Sequence, residues 1–491
     1  MAKEKAEKPV RERKRPINPK PSLAISWAII IFFAVIFLIQ VIFIEAGPDT
    51  HMTMIFASAF AIILLVINGT TIAKIEEGII HGCKIATISM MILMFIGVMI
   101  PAWIAAGTIP SLIYWGLQVL KPQIFLIAAL LVCTICTMAT GTSWGTAATF
   151  GVVMMGIGQG LGIPPEWTAG AVVSGAIFGD SMSPVSDTVN LSAAASEVNI
   201  FAHLRSLLCC FVPAFVISVV VFISVGIKFA GNEFDEGNVE LLMKSLSENF
   251  KVGPGHAILS LVPIVLVIVM VKFKISALMT IAVSALSAMI MAMIINGFSI
   301  VEMMGYMNYG FVIDTGNADV DRLVNRGGLQ SMMWTVSLGY LGLSFGGILE
   351  KAGVMSTILN SAASITKNIR NLVIVQHLAG WITIALSASP YVAMLIPGRM
   401  FADGYDKLGK SRTICSRTCT TSGIMLDPFL PWTLGGVFFY GALGARPIAI
   451  LLMCVPVFAI GYAITGRFMP DAKDSDLPTQ GLKGELEAGL E

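Results

Sequence analysis

Charged residues are scarce in this chain. Only 12% of its 491 residues are Asp, Glu, Lys or Arg, whereas about 25% is usual for a soluble domain. The chain is 56% hydrophobic and its mean hydropathy is +0.83. A protein with so little charge cannot keep most of its surface in water. This composition excludes an ordinary soluble protein and predicts a membrane protein.

Several kinds of functional site are also missing. The chain has five His and eight Cys, and its one CxxC pair, Cys133 and Cys136, lies inside an apolar run without a second pair at zinc spacing. It contains no phosphate-binding glycine loop and no nucleophile elbow. These absences argue against a histidine- or cysteine-based metal centre and against an ATP-driven pump. We therefore expect a protein that is not an enzyme and that needs no cofactor.

Apolar segments of spanning length recur along the whole chain. A membrane helix needs roughly 20 mainly apolar residues, and such segments begin at 24–44, recur at 85–105 and 371–397, and end at 446–466. We expect an all-α polytopic membrane protein. Its predicted parts are a basic tail (1–22), a first membrane half (23–227), a polar linker (228–255), a second membrane half (256–466) and an acidic and polar C-terminal tail (467–491).

The N-terminal tail predicts an orientation. Its first twenty residues hold eight Lys or Arg and three Glu, and a long apolar run follows. The positive-inside rule then predicts a cytoplasmic N-terminus in a multi-pass protein of the cell membrane. A basic arm for nucleic acid is disfavoured because no nucleic-acid-binding domain follows it, so we expect no nucleic-acid partner.

The two halves share a spaced pattern. Asp180 is followed 247 residues later by Asp427, and Pro184 by Pro431, so both halves carry Asp-x3-Pro. Such repeats are common in secondary transporters, whose sites lie where broken helices of the two halves meet. We expect an inverted repeat with broken or re-entrant helices at the membrane midplane. A parallel repeat would give the same offset, so the spacing alone does not decide the direction.

The first predicted break is Gly141-Thr-Ser-Trp-Gly-Thr146, which separates two apolar runs. Backbone that leaves the helix at membrane depth must be buried in protein or line a watery cavity. Its freed carbonyls and the hydroxyls of Thr142 and Ser143 are the hard oxygen ligands that small cations prefer. The alternative is simple helix packing, because Gly141 and Gly145 have the GxxxG spacing.

The second predicted break, residues 175–190, is acidic. It contains Asp180 and Asp187, several hydroxyls and a proline, and the next Lys or Arg is Arg205. An ionised carboxylate inside a membrane is costly unless a cation compensates it, so we expect a bound Na⁺ or a proton there. The alternative is a loop outside the membrane, where the same residues would be ordinary turn chemistry.

The second half repeats the hydroxyls and prolines with fewer acids. Breaks are predicted at residues 387–391 and 420–423, and Asp427 follows the second of them. Asp180 and Asp187 are the predicted Na⁺ ligands. The whole candidate ion site comprises Thr142, Ser143, Asp180, Ser183, Asp187, Thr188, Asn190, Ser389 and Asp427.

These motifs carry a family resemblance. The segments Gly141-Thr-Ser-Trp-Gly-Thr146 and Gly179-Asp-Ser-Met-Ser-Pro-Val-Ser-Asp-Thr188, with Pro431-Trp432 in the second half, resemble the NhaC-type Na⁺/H⁺ antiporter family of the ion-transporter superfamily. The resemblance covers about residues 25–466 and implies a Na⁺-coupled antiporter with its site at broken helix tips. The family and its relatives include malate/lactate exchangers and amino-acid carriers. The alternative is therefore a Na⁺- or H⁺-coupled carrier of a small organic acid or amino acid.

The chain departs from that family at two places. It has Thr420-Thr421 where the family usually has an acidic pair, and Ser389-Pro390-Tyr391 where Asp-Gln-Tyr is common. A half with fewer acids would hold one cation site fewer or would accommodate an organic anion.

The expected partners follow from this function. They are Na⁺ and H⁺ as coupling ions and the surrounding membrane lipids, with a small organic acid or amino acid as a further substrate and a homodimer as an open alternative. A passive channel is the competing class, which only saturable, exchange-stimulated flux would separate from a carrier.

Overall fold

The computed structural model describes residues 18–43, 49–232, 236–273, 275–363 and 368–473. Within these ranges the elements are helices, apart from an isolated β-bridge between Lys410 and Asp471. Most of the predicted basic tail and most of the acidic C-terminal tail lie outside the described residues.

The first half contains ten α-helices among the described residues. A π-helical turn, Ala147–Gly151, joins α6 to α7. The helices are α1 (Leu23–Phe43), α2 (Thr50–Asn68), α3 (Ile72–Ala105), α4 (Thr108–Val119), α5 (Pro122–Thr140), α6 (Ser143–Thr146), α7 (Val152–Gly160), α8 (Pro165–Ser181), α9 (Asp187–Ala195) and α10 (Ile200–Asn232).

The described linker and second half continue in the same manner. A π-helical turn, Thr420–Ile424, and a 3₁₀ turn, Asp427–Phe429, follow α21. The helices are α11 (Glu236–Asn249), α12 (Pro254–Ser260), α13 (Val262–Lys272), α14 (Ala277–Asn296), α15 (Ile300–Tyr309), α16 (Ala318–Val324), α17 (Leu329–Ala352), α18 (Val354–Ala363), α19 (Ile369–Ser387), α20 (Pro390–Lys407), α21 (Arg412–Cys419), α22 (Leu434–Leu443) and α23 (Ile450–Thr465).

The helices are long and apolar enough for a multi-pass membrane protein. Among the described residues, seven could cross a membrane, or up to eight if the bent pair Val239–Asn249 and Pro254–Met270 forms one span. Many large apolar side chains on these helices point outward, such as Ile63 and Ile135. Outward-facing apolar side chains suit a lipid environment. The predicted all-α polytopic class is confirmed.

Several helix boundaries differ from those expected from the sequence. The apolar segment 85–105 is the second part of the longer α3, whose polar beginning is tied to α17 by a 3.0 Å contact between Glu77 and Lys351. The segment 371–397 is interrupted at Ala388, whose φ of 56° ends α19. Helix α10 extends past residue 227, and α11 occupies much of the polar linker. Polar residues thus continue helices that an apolar criterion ends too early.

Helices α3 and α17 pack backbone against backbone. A Cβ added at Gly82 would lie 2.0 Å from the carbonyl oxygen of Leu343, and one at Gly78 would lie 2.8 Å from that of Gly347. Small residues spaced by four allow two membrane helices to approach this closely.

Helix boundaries recur at a constant offset in the two halves. Helix α5 ends at Thr140 and α19 at Ser387, 247 residues later. Helices α6 and α20 begin at residues 143 and 390, and α9 and α22 begin at residues 187 and 434, at the same offset of 247. The predicted repeat requires such a recurrence. The repeat itself and its direction stay a prediction.

Candidate functional site

The first break has a backbone that only glycine adopts easily. Gly141 ends α5 with a φ of 71°, and a Cβ there would lie 2.8 Å from the side chain of Val185. The next residue, Thr142, caps α6 by accepting a 3.3 Å hydrogen bond from the backbone N–H of Gly145. Gly141 therefore permits the backbone conformation that ends α5, and its lack of a side chain leaves room for the loop between α8 and α9.

Asp180 lies buried in the last turn of α8, with 5% of its surface exposed. Its Oδ2 accepts hydrogen bonds from Ser143 at 3.2 Å and from Thr188 at 3.4 Å. Its Oδ1 is buried and makes no well-formed hydrogen bond within the described residues. A buried carboxylate oxygen without such a bond is costly unless a ligand or proton compensates it. The Ser186 hydroxyl is a further polar neighbour of this carboxylate, and Oδ1 is the oxygen on which a cation or proton would act.

Asp187 has a different environment from Asp180. It is exposed at the first position of α9, where its Oδ1 accepts the backbone N–H of Thr188 at 2.9 Å. Its Oδ2 accepts a 3.2 Å hydrogen bond from the phenol of Tyr391. The N-cap of α9 is Ser186, whose hydroxyl accepts the N–H of Val189. The capping role that Asp could fill at this position thus belongs to the neighbouring serine.

Asp427, the acidic residue at the tip of the second half, accepts two hydrogen bonds from residues at the start of α22. Asp427 is 4% exposed and stands at the start of the 3₁₀ turn before α22. Its Oδ1 accepts the backbone N–H of Gly435 at 3.1 Å, and its carbonyl accepts the hydroxyl of Thr433 at 2.6 Å. A Cβ at Gly435 would overlap the carboxylate, so this glycine makes room for it.

The three aspartates line one cavity of about 290 Å³, which we call the inner cavity. Its wall combines the tips of both halves with apolar side chains such as Trp144 and Phe439. No Lys, Arg or His belongs to this lining in the described part of the chain. Its polar side chains are Thr142, Ser143, Asp180, Asp187, Thr188, Ser276, Tyr391 and Asp427. The cavity is therefore suited to a positive charge.

A second space of about 800 Å³, the outer cavity, lies between α5, α13 and α14. The exposed Lys272 is part of its wall. Because a lysine at the end of a membrane helix extends its ammonium to the membrane–water interface, Lys272 marks the end of the outer cavity that lies nearest this interface. Four residues line both cavities, namely Thr142, Asp187, Ser276 and Ala277.

Three predicted site residues do not line the inner cavity. The hydroxyl of Ser183 donates to the carbonyl of Met138 at 3.0 Å. The amide of Asn190 donates to the carbonyl of Ser186 at 2.7 Å. Ser389 is fully buried, and its backbone N–H donates to the hydroxyl of Ser387 at 3.2 Å. These contacts shape the two breaks, and a role in ion binding stays a prediction for all three.

Tyr391 is a cavity residue that the sequence patterns did not indicate, and a buried polar cluster that they did not indicate lies behind the second tip. There His203 contacts Ser416 at 2.9 Å and His377 contacts Thr421 at 3.0 Å, and both histidines are fully buried. The sequence feature that could have indicated this cluster is a histidine within each of two apolar helices, α10 and α19.

Carboxylates alone do not form a metal centre here. Among the described residues, no group of three or more His, Cys, Asp or Glu side chains stands close enough to hold a metal ion. A cation in the inner cavity would therefore need hydroxyl or carbonyl oxygens in addition to Asp180 or Asp187. Such a mixed set of oxygen ligands suits Na⁺.

Broken helices from two halves that meet at an acidic cavity define a secondary transporter. The chain belongs to the Na⁺/H⁺ antiporter family, whose model matches residues 20–189 and 175–467. The family resemblance of the two tip motifs is thereby confirmed.

Curated relatives are similar over most of the chain. A malate-2H⁺/Na⁺-lactate antiporter of Bacillus subtilis is 35% identical over 87% of this chain and 92% of its own length. The Na⁺/H⁺ antiporter NhaC of Alkalihalophilus pseudofirmus is 34% identical over 80% of this chain and 85% of its own. The arginine/ornithine antiporter ArcD of Halobacterium salinarum is 30% identical over 87% and 90%. Proteins similar to this chain thus exchange different substrates.

Proposed function

We propose that this protein exchanges Na⁺ for H⁺ across the cell membrane at the inner cavity. The observation that carries the proposal is the lining of that cavity, which has three aspartates and, among the described residues, no basic side chain. The buried Oδ1 of Asp180, without a well-formed hydrogen bond, supplies a cation ligand. The family and the NhaC relative support the same function.

Exchange needs no covalent chemistry in this proposal. Na⁺ binds Asp180 and Asp187 together with the hydroxyls of Thr142, Ser143 and Thr188, and a proton competes for the same carboxylates. Moving the empty site across the membrane would expose uncompensated charge to a low dielectric, which is costly. The site therefore reorients only when it carries Na⁺ or protons, so one ion gradient drives the other.

The test is Na⁺-driven proton movement in proteoliposomes that contain a pH-sensitive dye. Wild type should change the internal pH when a Na⁺ gradient is imposed. Asparagine keeps the shape of Asp180 but removes its charge, so Asp180→Asn should lose at least about 90% of the rate of Na⁺-driven proton movement. The matched control is Asp319→Asn, since Asp319 lies exposed beside Arg322. Wild-type rates in a correctly inserted Asp180→Asn protein would refute the assignment.

A second candidate is coupled exchange of a small organic acid or amino acid. The inner cavity of about 290 Å³ has the volume of roughly ten liquid waters, which is more than a Na⁺ ion occupies. Its aspartates favour a substrate with an ammonium group, or an anion that enters together with Na⁺. The beginning of α20 at Pro390 lines the cavity, and a helix N-terminus suits a carboxylate.

The same vesicles separate the two candidates. Malate, lactate, arginine and ornithine, after which the relatives are named, are added in turn on either side. Na⁺/H⁺ exchange proceeds without them, whereas a carrier needs one of them for Na⁺ flux. Saturation and exchange stimulation of the flux separate both carriers from a passive channel.

We also propose that the N-terminus lies in the cytoplasm, because the basic residues precede α1. N-terminal fusions to a fluorescent protein and to alkaline phosphatase test this orientation. Fluorescence without phosphatase activity supports it, and the opposite pattern rejects it.

A further inference from the structure

The inner and outer cavities share a part of their walls. The residues that line both are Thr142, Asp187, Ser276 and Ala277, and we call this place the neck. Thr142 comes from the break before α6, Asp187 from the start of α9, and the other two from the start of α14. Asp187 is the acidic residue of this set. The carboxylate of Asp187 thus stands where a cation would move between the two cavities.

Tyr391 forms a hydrogen bond with one oxygen of that carboxylate. It is the second residue of α20, and its phenol donates a 3.2 Å hydrogen bond to Oδ2 of Asp187. Oδ1 of Asp187 already accepts the backbone N–H of Thr188 at 2.9 Å. Each oxygen of the neck carboxylate thus accepts one hydrogen bond in this conformation.

The contact also joins the two halves of the protein. Asp187 belongs to the first half and Tyr391 to the second, and they are 204 residues apart. Tyr391 lines the inner cavity and Lys272 lines the outer one, whereas Asp187 lines both. A relative movement of the two helix tips would separate the phenol from the carboxylate.

We infer that Tyr391 is a positioning residue that holds the neck carboxylate, so that an entering Na⁺ must displace the phenol before it can use both oxygens of Asp187. This inference rests on the proposed Na⁺ exchange and adds a residue that sets the affinity of the site. Hydrogen bonds to a charged group are stronger than neutral ones. Removing the competing phenol should therefore strengthen Na⁺ binding.

The test is Tyr391→Phe, which keeps the ring against the cavity wall and removes only the hydroxyl. The apparent KM for Na⁺ should fall roughly threefold to tenfold, and the maximal rate should change less. The matched control is Tyr306→Phe, because the Tyr306 ring packs on Phe298 and Phe311 in the peripheral α15. Its KM should equal that of wild type.

A double-mutant cycle shows whether Tyr391 acts through Asp187. In the Asp187→Asn background, Tyr391→Phe should change the KM less than about twofold. An equally large effect in that background would overturn the inference, because the phenol would then act elsewhere.

The remaining outcomes are also decisive. A higher KM in Tyr391→Phe would make the phenol oxygen a Na⁺ ligand, and an unchanged KM would leave the ring as packing only; either result overturns the inference. If wild type shows no Na⁺-driven proton movement, the proposed function itself is refuted. Thermal stabilisation of the purified protein by Na⁺ gives a readout independent of transport, and its half-saturating concentration should fall in Tyr391→Phe by the same factor as the KM.

Discussion

At the scale of single residues, identical side chains near the site have different partners. Ser143 and Ser183 are both buried serines of the predicted ion site, but Ser143 donates to Asp180 and Ser183 donates to the carbonyl of Met138. The first hydroxyl stabilises the charged form of the site. The second satisfies a backbone carbonyl near the end of α5.

This difference predicts unequal effects of two alanine substitutions. Ser143→Ala removes a hydroxyl oxygen that is proposed to bind Na⁺ directly. It should raise the KM for Na⁺ roughly tenfold to a hundredfold, since an interaction with a charged group contributes about 1.5–3 kcal/mol. Ser183→Ala should lower thermal stability and leave the KM within about twofold of wild type. Both are measured by Na⁺ titration in proteoliposomes. Equal increases in KM would mean that Ser183 also reaches the ion.

Asp187 allows a residue-scale test of how protons enter the exchange. A proton and Na⁺ exclude each other on a carboxylate, so the apparent Na⁺ affinity of wild type should fall as the pH falls. Each carboxylate on which a proton competes with Na⁺ changes the apparent Na⁺ affinity at most about tenfold per pH unit. Asp187→Asn removes one competitor and should flatten this dependence. A mutant as steep as wild type would place the competing proton on another group.

At the scale of elements, close helix contact fixes the frame around the site. Helix α17 presents the carbonyls of Leu343 and Gly347 to Gly82 and Gly78 of α3. The same helix meets the second break, where a Cβ at Gly346 would lie 2.2 Å from the carbonyl oxygen of Ser387. A change in the distance between α3 and α17 would therefore also displace the backbone at Ser387, just before the start of α20.

Gly82→Ala tests this packing. The added methyl group would collide with backbone that cannot move away easily, so the protein should lose about 1–3 kcal/mol of stability. The matched control is Gly305→Ala on α15, where an added Cβ meets no atom within 4 Å. Fluorescence-detected size-exclusion chromatography after heating compares both variants in detergent. Equal melting temperatures for the two variants would show that α3 and α17 have room to separate.

At the scale of the whole molecule, the site lies between parts of the chain that are far apart in sequence. The inner cavity takes Asp180 from the first half and both Ser276 and Asp427 from the second half. A ligand bound between the two halves would stabilise their assembly. Binding and global stability are therefore linked.

Na⁺ should raise the melting temperature of the purified protein relative to choline at equal ionic strength. At a concentration one hundred times its Kd, a ligand that binds only the folded state adds about 2.7 kcal/mol. Asp180→Asn should lose most of this stabilisation, whereas Asp319→Asn should keep it. The same stabilisation by choline in wild type would indicate a general salt effect and no specific cation site.

The sequence by itself determined the membrane class, the positions of the breaks and the acidic residues at the tips. Hydropathy and glycine, proline and hydroxyl content are local properties, so Gly141 and the segment around Asp180 were identifiable without a structure. The structure corrected the extents of α3 and α10 because polar residues at membrane edges continue helices that an apolar criterion ends.

Only the tertiary structure decided which of these groups meet. Ser183 and Ser143 lie in similar hydroxyl-rich segments, yet one bonds a helix carbonyl and the other bonds Asp180. The contact of Tyr391 with Asp187 and that of His203 with Ser416 join residues 204 and 213 positions apart. Such contacts depend on how whole helices pack, and the side chains of a short segment contain no information about a partner so far along the chain.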